Sequence, residues 1–139
     1  MFAPQTRFLV VDDFSTMRKI VKKVLIESGF SNILEAVDGK NALEVLAASK
    51  AKSEPVDFII SDWNMPNMLG IELLKACRAM PEYKTIPFIL VTAESEQANI
   101  IEAIKEGVSE YVIKPFNANT IKAKLEKVYA KTSSLSKAG

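Results

Sequence analysis

The feature that most constrains this chain is a pattern that occurs five times: a short, almost wholly apolar run, a polar turn, then apolar residues at helical spacing. The runs lie at 8–11, 33–36, 56–61, 87–91 and 111–113. After them, in order, come Met17, Ile20, Val21, Val24 and Leu25; Ala42, Leu43 and Leu46; Leu74, Cys77 and Arg78; Ala98, Ile101 and Ile104; and Ile121, Leu125, Val128 and Tyr129. Each set recurs at the spacing of one helical face. A strand that is apolar at every position has to be covered on both sides, which a parallel sheet with helices on both faces provides. The pattern therefore predicts an α/β fold, a doubly wound (βα)5 parallel sheet, taken here in the flavodoxin-like strand order 2-1-3-4-5. Ser15 is expected to cap the first helix, and Gly29 and Gly107 to end the first and fourth. The polar stretch 49–55 closes the second unit, and 132–139 reads as a small polar tail that frays.

With 139 residues, 48% of them apolar, the chain has the size and core of one domain, read as residues 1–139 with the core at about 7–131. Lys plus Arg number 18 and Asp plus Glu 17. That balance leaves no single-sign field to attract nucleic acid or anionic lipid. No apolar run approaches the ~18 residues of a membrane span, and residues 1–7 lack the pattern of a signal peptide, so a cytoplasmic monomer is expected. The single cysteine, Cys77, excludes an internal disulfide and is read as packing. Histidine is absent, which removes the commonest general base and transition-metal ligand.

Parallel strands end at one edge, so polar residues that follow different strands meet there however distant they are in sequence. Those residues are Asp12 and Asp13 after the first strand, Asp62 after the third, Thr92 after the fourth and Lys114 after the fifth. Three carboxylates at one edge repel one another, and a hard divalent cation relieves them. Mg²⁺ needs only one or two carboxylates and a carbonyl, since it keeps several waters. Asp13 and Asp62 are the expected direct ligands, Asp12 acts through water, and Asn64 supplies its main-chain carbonyl. Asp62 then serves as a nucleophile for phosphoryl transfer, with the Lys114 ammonium and the Thr92 hydroxyl neutralising the phosphoryl oxygens. A cis Lys114–Pro115 bond would aim that ammonium into the site. The donor histidine must then lie on another molecule.

Four segments carry a recognisable pattern: FLVVDDFSTMR at 8–18, ISDWNMPNM at 60–68, VTAE at 91–94 and YVIKPF at 111–116. Together they resemble the receiver-domain family of response regulators, and within it the stand-alone regulators of chemotaxis, over about residues 7–131. The resemblance implies a Mg²⁺-dependent switch of two-component signalling, phosphorylated on Asp62 by a chemotaxis-type histidine kinase. It implies Asp12 and Asp13 as the acidic pair, Thr92 and Lys114 as phosphoryl contacts, and Tyr111 as an aromatic that rotates on phosphorylation. Asn64 and Glu94 fall at positions that tune self-dephosphorylation, with a phosphatase as a further partner. Ala98, Ile100, Tyr111 and Lys124 would line the surface that docks on the flagellar motor switch protein.

The chain departs from that family pattern in three places. Leu69 stands before Gly70 where an aspartate is common, the stretch 49–55 is several residues longer, and the fourth helix opens with Glu94 and Glu96 where lysines are usual. The last departure leaves room for a receiver that does not touch the motor and acts as a phosphate sink or on another partner. A hydrolase with an aspartyl-phosphate intermediate, of the haloacid dehalogenase type, would carry a second aspartate two residues after the nucleophile, where this chain has Asn64. A DNA-binding role has neither an effector domain after residue 131 nor a basic surface to support it.

Overall fold

The computed structural model describes residues 2–93 and 97–138. Five strands, β1 (Arg7–Val11), β2 (Asn32–Ala36), β3 (Phe58–Asp62), β4 (Phe88–Thr92) and β5 (Glu110–Ile113), alternate with five helices. These are α1 (Ser15–Glu27), α2 (Gly39–Ala51), α3 (Gly70–Ala79), α4 (Gln97–Lys105) and α5 (Ala118–Ala138). All four strand pairings are parallel, as the alternation predicts, and the order is the flavodoxin-like β2-β1-β3-β4-β5.

The period of two along each strand divides the core into two layers. Leu9 and Val11 of β1, Ile59 of β3 and Phe88 and Leu90 of β4 pack with Leu46 of α2 and Leu73, Leu74 and Cys77 of α3. Phe8, Val10, Phe58, Ile60, Ile89 and Val91 point the other way and pack with Val24 and Leu25 of α1 and Ile121, Leu125 and Val128 of α5. Both faces of the sheet are covered, which is why these strands carry no polar alternation. No helix among the described residues is long and apolar enough to cross a membrane.

Helix ends follow local chemistry. Gly29 (φ 101°) and Gly107 (φ 87°) end α1 and α4 in the left-handed region. At α1 the Phe30 amide reaches the Leu25 carbonyl and the Gly29 amide that of Ile26, and at α4 Val108 reaches Ala103 and Gly107 reaches Ile104. These are paired Schellman bonds. The end of α2 makes the same pair, Glu54 to Ser49 and Ser53 to Lys50, with a serine at φ 61° in the glycine position.

Several sequence expectations are corrected. Ser15 is not a cap: it is the first residue of α1, and Phe14 precedes it with no side-chain cap. The Phe14 amide is taken instead by the Asp12 carboxylate at 2.9 Å. Residues 132–138, set apart above as a polar tail, continue α5 through Ala138, because no proline or glycine interrupts the helix before Gly139. On α4, Ile101 and Ile104 are exposed and Ala103 is the buried residue.

Candidate functional site

The carboxyl ends of β1, β3, β4 and β5 bring the expected side chains together. Asp62 closes β3, Thr92 closes β4, Asp12 follows β1 and Lys114 follows β5. Asp12, Asp13 and Asp62 each offer one carboxylate oxygen, and the three atoms lie within 4.8 Å of one another. Lys114 Nζ donates to Asp62 Oδ1 at 2.9 Å. Its main chain is fixed beside Thr92, whose carbonyl accepts from the Lys114 amide at 2.8 Å, and the Lys114–Pro115 bond is cis. Asp62 and Asp12 are each 5% exposed and Thr92 3%, so the edge is a recess more than a surface.

Burial sets the charge state. Desolvation is the main influence on Asp12 and raises its pKa to about 6, with the neighbouring charges of Asp62 and Asp13 adding to it and the Phe14 amide and Lys114 opposing it. The Asp62 pKa is also raised, mainly by burial, against the hydrogen bond and charge of Lys114. One ammonium against three carboxylates leaves the cluster under-neutralised. An all-oxygen set of this kind, with no histidine and with the only cysteine elsewhere, fits a small hard divalent cation and does not fit zinc. Cys77 is fully buried and its thiol is pushed up to about 11 by desolvation, so it is a packing residue.

The loop after Asp62 is held in place by residues that the sequence reading did not single out. Asn67 sits at φ 66° and its Nδ2 donates to Asp38 Oδ2 at 2.8 Å. Asp38 is at the same time the N-cap of α2, its Oδ1 accepting from the Asn41 amide at 2.8 Å. Those two bonds, the Asn41 amide first, hold its carboxyl below the usual range. Gly70 opens α3 with its amide on the Trp63 carbonyl at 2.9 Å, and any side chain there would collide with the Asp62 carbonyl. Arg18 is the other unforeseen member: its Nη1 donates to the Asp12 carbonyl at 2.7 Å while its Nε holds Glu35 at 3.0 Å. The Pro66-Asn67 turn signal is visible in the sequence, but its partner at position 38 is 29 residues away.

Leu69 is the residue before α3 and is 38% exposed; its amide donates to Glu72 Oε1 at 2.9 Å. The longer stretch 49–55 lies at the far end of α2, with Ser49 Oγ on the Glu54 carbonyl at 2.7 Å. Asn64 is exposed next to Trp63, which is buried. Of the expected output residues, Tyr111 and Lys124 are brought together, with Nζ 5.0 Å from the ring centroid and also 2.9 Å from Glu110 Oε1. Ala98 is exposed and Ile100 half-buried on α4, while Glu94 lies outside the described residues.

Comparison with known proteins matches residues 8–126 to the response regulator receiver domain. The chain is 50% identical to chemotaxis protein CheY-3 of Vibrio cholerae over 123 residues, 88% of this chain and 91% of that one. It is 46% identical to chemotaxis protein CheY of Pseudomonas aeruginosa over 127 residues, 91% and 98% of the two chains. Among solved structures it superposes on the chemotaxis response regulator CheY4 of Vibrio cholerae with a TM-score of 0.77 at 35% identity, covering 89% of this chain and 98% of that one.

Proposed function

The chain belongs to the response regulator receiver domain family, and from that premise we propose that it is a single-domain regulator of chemotaxis, phosphorylated on Asp62 by a partner histidine kinase. The observation that carries the proposal is the Lys114 ammonium seated at 2.9 Å on Asp62, one of the two buried carboxylates of a three-aspartate recess. Nothing in a purely structural role requires that concentration of charge at one sheet edge.

In this reading the Asp62 carboxylate oxygen attacks the phosphorus of a phosphohistidine. The P–N bond breaks as the P–O bond forms, and the imidazole leaves as a neutral or protonated base on the donor. Lys114 is already placed on one oxygen of the nucleophile and binds the arriving phosphoryl oxygens. The Thr92 hydroxyl donates to another of them. Asp13, Asp62 and the Asn64 carbonyl, with Asp12 beside them, would hold Mg²⁺, and the ion when bound would supply neutralisation of the charge that spreads over the phosphoryl oxygens. Hydrolysis returns the switch: water attacks phosphorus and the Asp62 carboxylate departs, at a rate that the residue types at positions 64 and 94 tune. The signal leaves through Thr92, which shifts toward the phosphoryl group, and Tyr111, which turns inward and alters the face of α4, β5 and α5. That face, with Ala98, Ile100, Tyr111 and Lys124, docks on the flagellar motor switch protein. The relatives named as chemotaxis proteins support this assignment.

The acidic residues that precede α4 in the sequence, Glu94 and Glu96, favour a second reading in which the receiver drains phosphate from the kinase without touching the motor. Binding of the motor protein's N-terminal peptide with and without beryllofluoride separates the two. Enhancement by beryllofluoride supports motor output, and unchanged binding supports the sink. Phosphorylation itself is read by intact mass: with Mg²⁺ and a small-molecule phosphodonor the wild type gains one phosphoryl group and Asp62→Asn gains none. A gain in the variant would move the acceptor elsewhere.

A further inference from the structure

We propose that the edge of the sheet opposite the aspartates carries a second binding site, for an organic phosphate with an apolar body of about mononucleotide size. A cavity of about 450 Å³ opens there, between the α3–β4 connection, the turn 107–109 before β5 and the last part of α5. Thr85, Pro87 and residues 107–109 come just before β4 and β5 begin, whereas Asp62 and Thr92 stand where strands end, so the two sites are on opposite rims.

Charge is what distinguishes the cavity. Arg78, Lys84 and Lys131 line it, and no carboxylate does. The Arg78 guanidinium is fixed by main-chain carbonyls alone, Nε on Gly107 at 2.9 Å and Nη1 on Ile86 at 2.7 Å. It forms no ion pair among the described residues, and no bond from its Nη2 is found among them. Its charge is therefore positioned and left without a counterion. Burial pulls the Arg78 pKa down, so an anion at this spot would relieve a desolvated cation. Lys84 is exposed and likewise has no ion pair among the described residues. Lys131 shares Glu110 with Lys124, at 3.1 and 2.9 Å, so that single carboxylate is divided between two ammonium groups.

A pre-placed guanidinium with spare N–H groups beside two lysines is the donor set that recognises phosphate. Pro87, Val108 and Val128 give the wall an apolar part beside the hydroxyl residues Thr85 and Ser109, and the volume lies in the range of small-molecule sites, well beyond what a bare anion fills. Gly107, at φ 87°, keeps the turn close: a Cβ there would come within 3.2 Å of Arg78 Nε. The occupant thus needs both a phosphate and a flat or apolar part.

The test is a titration of the full chain, without Mg²⁺ and at constant ionic strength, followed by ¹H–¹⁵N correlation spectra. Adenosine monophosphate, adenosine and inorganic phosphate are the probes. The monophosphate should give saturable shifts at the amides of residues 107–109, with adenosine and phosphate each binding at least about tenfold more weakly. Lys84→Glu should weaken the monophosphate by about tenfold while phosphorylation on Asp62 proceeds as in wild type. The proposal is overturned by shifts confined to the aspartate rim, by a monophosphate that binds no tighter than inorganic phosphate, or by an unaltered affinity in Lys84→Glu.

Discussion

Asp12 is a carboxyl whose proton affinity burial raises, and its behaviour with pH is the most direct consequence of the site at the residue scale. Its folded pKa, about 6, lies above the ordinary value of 3.8. Between those two values the folded chain holds a proton that the unfolded chain has lost. Stability from this group is thus greatest on the acid side and falls as pH rises from about 4 to about 6. In a chelator, urea unfolding should show a lower midpoint at pH 7 than at pH 5. Asp12→Asn, which keeps an oxygen for the Phe14 amide, should remove most of that drop and be more stable than wild type at pH 7 by about 1–3 kcal/mol. The same variant should bind Mg²⁺ more weakly, as expected where stability is given up for function. A wild-type midpoint that rises from pH 5 to 7, with the variant tracking it, would contradict the assignment. The strand-end residues themselves were legible in the sequence because topology alone gathers them. Arg18 was not, since nothing local says that a helix arginine will donate to the carbonyl of residue 12.

At the scale of elements, two left-handed residues carry predictions. Ser53 occupies the C-terminal position of α2 that glycine fills in α1 and α4. Ser53→Gly should raise stability by about 0.5–1 kcal/mol, net of the entropy that glycine adds to the unfolded chain, and chemical denaturation measures it. Asn67 is different because its side chain is used. Asn67→Gly keeps the backbone conformation but removes the bond to Asp38, so the loop that follows Asp62 loses its tie to α2. Mg²⁺ affinity should fall by about tenfold with little change in melting temperature, and affinity equal to wild type would show the tie to be dispensable. Such ties explain what the sequence concealed. Periodicity found all five helices, yet Ser15 failed as a cap because the chain enters α1 one residue earlier and Asp12 supplies the acceptor. The end of α5 was missed because polar residues in a helix look like a tail when no partner is known.

For the molecule as a whole, the parallel, doubly covered sheet was legible because wholly apolar strands need a layer on each face, and the two layers of the core are those covers; the order of the strands came with the flavodoxin-like pattern and not from their composition. The same order places strands β1 and β3 side by side, so that Asp12, Asp13 and Asp62 share one recess with Lys114. The proposed switch rests on that recess accepting a cation and then a phosphoryl group. Trp63, buried directly after Asp62, is the chain's only tryptophan and is placed to report on both events. Its fluorescence should change on titration with Mg²⁺, and again on adding acetyl phosphate to the Mg²⁺-loaded chain. In Asp62→Asn the second change should be absent. A phosphodonor response that persists in Asp62→Asn, or one that the wild type shows equally without Mg²⁺, would contradict the account.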